Sequence, residues 1–337
     1  MSRRGTSVAP ATPRLSIVAP CYNEAEGLPA FAARMQAAAQ ASVGAAYELI
    51  LVNDGSRDTT WRVIEQLAAD SPNVVGVDLS RNHGHQLAVT AGLALTRGER
   101  VLIIDADLQD PPELLGKMME QMDAGYDVVY GRRRARQGES AFKLSTAKLF
   151  YRMLGSISEV EIPQDVGDFR LISRPFVDRL NAMPEQDRFL RGMVAWLGGR
   201  QIEVLYDRDA RYRGETGYSL GKMVKLATSG LTSFSTAPLR MAVLLAVVGM
   251  VFGLFLIPYA LAAFFTGGSQ RGWTSLALIM VFFSVGQLGC LAIIGAYVGR
   301  IFMQVKGRPL YMIRTVVTRP DHAMEPLVGR RRIRSSR

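Results

Sequence analysis

Val101-Leu102-Ile103-Ile104-Asp105-Ala106-Asp107-Leu108-Gln109-Asp110-Pro111-Pro112 is the stretch from which the rest of the chain can be read. Its first four residues are apolar and three of them are β-branched, which predicts a strand buried on both faces. The run stops at two carboxylates spaced i, i+2. In extended chain such residues point to the same side, so Asp105 and Asp107 leave the carboxyl end of the strand together. The paired prolines forbid the strand to continue and favour a turn into a helix. In an open α/β sheet, ligands bind outside the carboxyl ends of the strands. Two adjacent carboxylates there repel each other unless a cation lies between them. Hard divalent ions take carboxylate oxygens and share them with substrate phosphates. The stretch reads as a metal–diphosphate site; two solvated loop acids are the alternative.

The same grammar recurs on either side. Leu15–Ala19 reads as a strand ending in Pro20-Cys21-Tyr22-Asn23-Glu24, followed by an Ala-rich helix to about Ala41. Glu48–Val52 ends in the turn composition Asn53-Asp54-Gly55-Ser56, with Asp58 or Thr59 placed to cap the next helix. Val74–Leu79 ends in Ser80-Arg81-Asn82-His83-Gly84, and a helix from about Gln86 to Thr96 leads to the central strand. Asp127–Tyr130 is a fifth strand, ending in Gly131-Arg132-Arg133-Arg134. Strands alternating with helices predict an α/β fold with a parallel sheet. Gln164-Asp165-Val166-Gly167-Asp168-Phe169-Arg170 then opens a mixed segment to about Tyr212, and Arg213–Ser219 reads as a flexible loop. Phe142–Ser158 and Leu220–Ala237 are amphipathic, either interfacial or packed on a surface.

Further on, the solvent changes. Met241–Phe265 is 25 residues without a charge and Trp273–Gly299 is 27. About 20 helical residues cross a bilayer core, so each run is long enough to span it. Arg240 flanks one side and Arg300, Lys306 and Arg308 the other, which by the positive-inside rule makes a hairpin with both flanks cytosolic. Pro258 falls within the first span. Leu310–Val317 is a candidate strand, able to pair with a neighbouring chain, and a basic tail follows it.

The 337 residues carry a net charge of +10, with nine Lys or Arg between Lys306 and Arg337. That balance points to phosphate partners: nucleic acid, anionic lipid or nucleotide. The apolar runs and the scarcity of interleaved aromatic and basic residues speak against nucleic acid. With two cysteines, Cys21 and Cys290, no disulfide is expected and a reducing compartment fits. No apolar core of signal-peptide length follows the N-terminus, so the first domain is expected in the cytosol. His83 and His85 have no cysteine partner nearby for a zinc site, and one or the other, His83 or His85, is expected to line the ligand site.

Pro20-Cys21-Tyr22-Asn23-Glu24, Val52-Asn53-Asp54-Gly55-Ser56, Asn82-His83-Gly84-His85-Gln86 and the DxD stretch, in this order, resemble the GT-A, family-2 glycosyltransferases. Adding Gly167-Asp168-Phe169-Arg170, Gly214-Glu215-Thr216 and the two spans, the chain resembles polyprenyl-phosphate glycosyltransferases of the bactoprenol glucosyltransferase branch, with dolichol-phosphate mannose synthases more distant. The resemblance covers roughly residues 14–318. It implies a Rossmann-like, mostly parallel GT-A domain over 14–219 after a mobile tail, 1–13. An amphipathic interfacial helix at 220–238, two transmembrane helices within 239–300, and a cytosolic strand and basic tail at 301–337 complete the division.

The implied activity is inverting transfer of a hexose, glucose by the nearest branch, from a UDP-sugar to undecaprenyl phosphate. Mannose, galactose, N-acetyl sugars and aminoarabinose remain open. The implied location is the inner (plasma) membrane, multi-pass, with the catalytic domain cytosolic and a homo-oligomer allowed. Pro20, Tyr22, Glu24, Asp54 and Asp105 would surround the nucleotide. Asp107 and Gln109, with Asp105, would hold Mg²⁺ or Mn²⁺. Asp165 or Asp168 would act as base or, because a phosphate acceptor is already nucleophilic, would orient substrate. Arg132, Arg133, Arg134 and Arg170 are candidates for the acceptor phosphate, and Arg211 and Arg213 for closing over the diphosphate. Gly217 stands where relatives carry Lys, so that either this phosphate contact is absent or Lys222 supplies it. A processive polysaccharide synthase and a non-catalytic membrane scaffold are the competing readings. Gln186-Asp187-Arg188-Phe189-Leu190-Arg191 does not match the Gln-x-x-Arg-Trp motif of the former, and the intact acids argue against the latter.

Overall fold

The computed structural model describes residues 12–134, 166–207, 237–265 and 272–319. Alternation holds through the first stretch: β1 (Leu15–Cys21), α1 (Leu28–Val43), β2 (Tyr47–Asn53), α2 (Thr60–Asp70), β3 (Val74–Leu79), α3 (His85–Leu95) and β4 (Arg100–Ile103). A 3-10 turn at Pro112–Leu114 leads into α4 (Leu115–Asp123) and β5 (Val128–Arg133). The segment read as mixed resolves into β6 (Val166–Ser173), α5 (Arg174–Ala182), α6 (Leu190–Leu197) and β7 (Gln201–Tyr206). With β8 (Ile313–Val317), the strands form one sheet in the order β7-β5-β6-β4-β1-β2-β3-β8.

β1 pairs in parallel with β2 and β4, β2 with β3, and β5 with β7. The sheet is mostly parallel, as expected, with two antiparallel strands. β6 runs antiparallel between β4 and β5, and β8 runs antiparallel along β3. β6 escaped the apolar-run criterion because it alternates: Phe169 and Leu171 enter the core on one face, while Asp168 and Arg170 are buried on the other. β8 takes its partner, β3, from its own chain.

Every position of β1 and β2 is buried. Leu15, Ile17, Ala19 and Cys21 face a core shared with Phe31 and Met35 of α1, Ile64 of α2 and Met118 of α4. On the opposite face α3 lies so close that a Cβ at Gly92 would fall 2.3 Å from Val18 Cγ1. Helices on both faces close the edges of the apolar strands and leave their carboxyl ends as the accessible rim.

The amino ends are tied instead by a buried polar network. Ser16 Oγ donates to Glu48 Oε1 at 2.6 Å and accepts the Gly98 N–H at 2.7 Å. Arg97 gives its backbone N–H to Glu48 Oε1 (2.7 Å) and its Nη2 to Oε2 (2.8 Å). Glu48 is buried, so Arg97→Ala leaves a carboxylate short of its charged partner. We expect a loss of about 3 kcal/mol in urea unfolding, with nucleotide affinity intact because the network lies at the far end of the strands.

The chain divides into two compact units, one holding the sheet and including β8, the other holding the long helices α7 (Ala237–Phe265) and α8 (Trp273–Val305). The two predicted apolar runs lie within α7 and α8, and α8 continues past Gly299 to Val305. Phe282–Val305 is long and apolar enough to cross a membrane, and none of its apolar window is buried, unlike the core helix of a water-soluble domain. Among the described residues it is the one stretch that meets both criteria. The predicted helix Phe142–Ser158, and Leu220–Ala237 up to residue 236, lie outside the described residues, as do Asp165, Arg211, Arg213 and Lys222.

Candidate active site

The carboxyl ends of β1, β2, β3 and β4 open onto one cleft of about 350 Å³. Pro20, Tyr22 and Glu24 enter from β1, Asp54 from β2, Asn82, Gly84 and His85 from the β3–α3 connection, and Asp105 and Asp107 from β4. All five residues expected at the nucleotide are thus brought together with one of the two further expected metal ligands. Gln109, the other, is buried and is not among the cleft residues. The reason is local: Leu108 adopts φ +60°, which breaks the extended alternation after Asp107. Gln109 meets Asp107 through its backbone, donating its N–H to Oδ1 at 3.2 Å.

The walls of the cleft are built by loops that hold one another. Asp54 Oδ1 accepts the His83 N–H at 2.7 Å and Oδ2 the Gly84 N–H at 2.9 Å. Burial nevertheless pushes its pKa up, against those two bonds. Gly55 sits at φ +62°, and a Cβ there would lie 2.4 Å from Arg81 C and Asn82 N, so the two loops touch backbone to backbone. Asn23, at φ 56°, turns the β1 loop against the same region, with its N–H on Ser56 Oγ (3.0 Å) and its Oδ1 accepting the Arg57 N–H (2.9 Å). Asp58, not Thr59, caps α2, accepting the Thr60 N–H at 3.0 Å. Cys21 is free and its thiol is pushed up by burial, which leaves it inert.

Asp105 is electrostatically perturbed. Its Oδ1 is buried without a hydrogen-bond partner, 3.5 Å from His85 Nε2. Burial pushes its pKa up to about 6, against His85 and with help from Asp168, Asp107 and Asp110. An orphaned carboxylate oxygen beside a second carboxylate on the same rim is a hard-oxygen donor set that fits a divalent cation. Among the described residues no third His, Cys, Asp or Glu joins them into a closed cage.

Beneath the rim lies a second constellation, centred on Asp168. Arg191 Nε donates to Asp168 Oδ1 at 2.8 Å and Arg170 Nη2 lies 3.4 Å from the same atom. Gln86 Nε2 donates to Oδ2 at 3.1 Å, and His85 Nε2 lies at the same distance. Gln86 Oε1 accepts the Leu190 N–H at 3.0 Å, binding α3 to the start of α6. Burial opposes the Asp168 charge, but Arg191, His85 and Arg170 outweigh it and hold its pKa well below the usual range. Burial likewise works against charge on His85, yet Asp168 and Asp105 raise it to about 9. A buried acid surrounded by donors and held ionised is a weak base. Arg170 is buried too and gives its Nη2 to the Gly167 carbonyl at 3.0 Å. Arg191 was missed by sequence reading; its signal was the unexplained Arg-x-x-Arg of residues 188–191.

The three arginines of β5 and its end differ. Arg132 pairs with Glu203 at 2.9 Å and Arg134 with Asp207 at 3.4 Å, both exposed. Arg133 Nε donates to the Tyr206 hydroxyl at 3.5 Å, and that hydroxyl hydrogen-bonds the buried Asp110.

A sheet with a parallel heart, helices on both faces, a nucleotide-sized cleft at the strand ends and paired carboxylates on its rim define a GT-A-like α/β fold. The chain belongs to glycosyl transferase family 2, matching it over residues 16–180. It is 42% identical over 303 residues to the uncharacterized glycosyltransferase YkcC of Bacillus subtilis (strain 168), covering 89% of this chain and 93% of that one. It is 36% identical over 307 residues to the prophage bactoprenol glucosyl transferase homolog of Escherichia coli (strain K12), covering 90% and 99%. It is 35% identical over 306 residues to the bactoprenol glucosyl transferase of Shigella phage SfX, covering 90% and 99%.

Proposed function

We propose that this protein transfers a glucosyl unit from UDP-glucose to undecaprenyl phosphate, inverting the anomeric carbon, at the cytosolic face of the plasma membrane. The observation that carries the reading is the convergence of Pro20, Tyr22, Glu24 and Asp54 with Asp105 and Asp107 in one cleft. Relatives named bactoprenol glucosyl transferase, matching nine-tenths of the chain, support the acceptor and the sugar.

Tyr22, exposed at the cleft mouth, offers a ring for the base to stack on. Each Asp54 oxygen already accepts one backbone N–H and keeps a second lone pair for a donor on the base. Glu24, on the same cleft, would take the ribose hydroxyls. Asp105 and Asp107 would hold Mg²⁺ or Mn²⁺, which when bound offsets the negative charge that grows on departing UDP. The acceptor phosphate carries close to two charges at neutral pH and attacks without a base. Arg132 and Arg134 sit in exposed ion pairs, which are weak enough for an incoming dianion to displace. Asp165, Arg211, Arg213 and Lys222 remain assigned by resemblance, Asp165 to orienting acceptor or sugar and the three basic residues to phosphates. The exposed apolar surface of α7 and α8 supports membrane anchoring, and charge placement supports a two-helix hairpin with both ends cytosolic.

The test is incubation of membranes containing the protein with a panel of radiolabelled nucleotide sugars and undecaprenyl phosphate, with and without EDTA. We expect label to enter the lipid fraction from UDP-glucose, and EDTA to abolish it. Transfer from another nucleotide sugar in preference to UDP-glucose would reassign the donor, and EDTA-resistant transfer would remove the metal.

A further inference from the structure

Arg314, on the edge strand β8, is 236 residues from Asp78 in sequence yet holds it directly. Its Nη1 donates to Asp78 Oδ2 at 2.9 Å and its Nη2 to the Ser80 carbonyl at 2.8 Å. Asp78 is 2% exposed, and its other oxygen accepts from Asn53 Nδ2 at 2.7 Å. Asn53 Oδ1 in turn accepts the Ser56 N–H at 3.2 Å, closing the turn that carries Asp54 and Gly55. Ser80 donates its N–H to the Met312 carbonyl at 2.8 Å and starts the loop that ends at Gly84. The two loops meet at Asp54, and both supply the cleft wall.

We infer that Arg314 is a positioning residue for the nucleotide cleft: by pinning Asp78 and Ser80 together it fixes the spacing of the Asn53–Ser56 and Ser80–Gly84 loops around Asp54. The chemistry suits arginine, whose planar fork can bridge a carboxylate and a carbonyl at once, whereas an ammonium on a flexible stem meets one or the other. It also explains why a carboxylate is tolerated at a buried strand position. Asp78 would be costly alone, but it is satisfied from both sides. The consequence is that chain following the long apolar helix α8 completes the nucleotide site of the sheet unit. The inference rests on the proposed donor for the identity of the nucleotide, but the clamp itself does not.

Two measurements on the full-length protein in detergent test it. The first is hydrogen–deuterium exchange of residues 53–56 and 80–84 in the free protein; the second is UDP affinity by calorimetry with the donor kinetics. For Arg314→Ala we expect at least tenfold faster exchange in both loops, about tenfold weaker UDP binding and a matching rise in donor KM. We expect kcat at saturating donor to stay within twofold. Arg314→Lys should recover part of the exchange protection, and adding Asp78→Asn to Arg314→Ala should cause little further loss. Unchanged loop exchange in Arg314→Ala would overturn the clamp, as would a fall in kcat with donor KM unmoved. Should wild type bind no UDP, the donor reading fails while the exchange data still decide the clamp. Should Arg314→Ala not fold, Arg314→Lys and the double variant decide it.

Discussion

Asp107→Asn should lower lipid-linked sugar formation by about 10³-fold while leaving the protein folded. Asp107 Oδ1 accepts the Gln109 N–H at 3.2 Å, a bond that an asparagine carbonyl can keep. What the amide cannot keep is the negative charge on the cleft rim beside Asp105. Groups aimed at charge developing in the transition state are worth about 10²–10³ each when removed, and a carboxylate that shares a cation with the leaving diphosphate belongs at the upper end. The measurement is the initial rate with UDP-glucose and undecaprenyl phosphate across a divalent-ion series, paired with a thermal melt. We expect a melting temperature within about 2 °C of wild type, as for a surface change worth about 0.5 kcal/mol. We also expect a residual rate that climbs more steeply with added divalent ion. A variant working within tenfold of wild type would remove Asp107 from the site.

That the site lay so open in the sequence has a physical cause. Its members sit where buried apolar strands stop, and a change from β-branched residues to Asp, Asn, Gly and Pro is visible without any tertiary knowledge. Asp105 and Asp107 were legible for that reason, Pro20, Tyr22, Glu24 and Asp54 through the resemblance their motifs carry, and all six share one cleft. What sequence did not disclose depends on contacts between distant segments. β6 hid because burying Asp168 and Arg170 requires Arg191, His85 and Gln86, which arrive from elsewhere in the chain. Gln109 was named as a metal ligand by resemblance alone, and it lies outside the cleft lining, just past the positive φ at Leu108. The edge strand β8 was found as a strand, but its partner β3 and the Arg314 link to Asp78 could not be, since nothing local to residues 313–317 names either.

Asp168→Asn should cost stability as well as turnover, and the pair of losses separates an orienting group from a base. Asp168 is buried among Arg191, Arg170 and His85, and its carboxylate is their shared counter-charge. Replacing it with a neutral amide leaves two guanidinium groups and an imidazole packed together without that charge. Breaking a buried pair from one side costs about 3–5 kcal/mol, which for a unit of this size lowers the melting temperature on the order of 10 °C. A simple general base would behave differently: its amide would fold as well as wild type and lose kcat alone. The pH dependence gives a second handle. Because the folded pKa of Asp168 lies well below 3.8, its stabilising contribution is present above about pH 4 and is lost as pH falls through the folded value. Wild type and Asp168→Asn should therefore differ most in melting temperature at neutral pH and converge on acidification below pH 4. Turnover should fall at least tenfold, because His85 lines the cleft and shares its Nε2 between Asp168 at 3.1 Å and Asp105 at 3.5 Å, so loosening the lower carboxylate moves the upper one. Equal melting temperatures across the pH series, with turnover lost, would return Asp168 to the role of base.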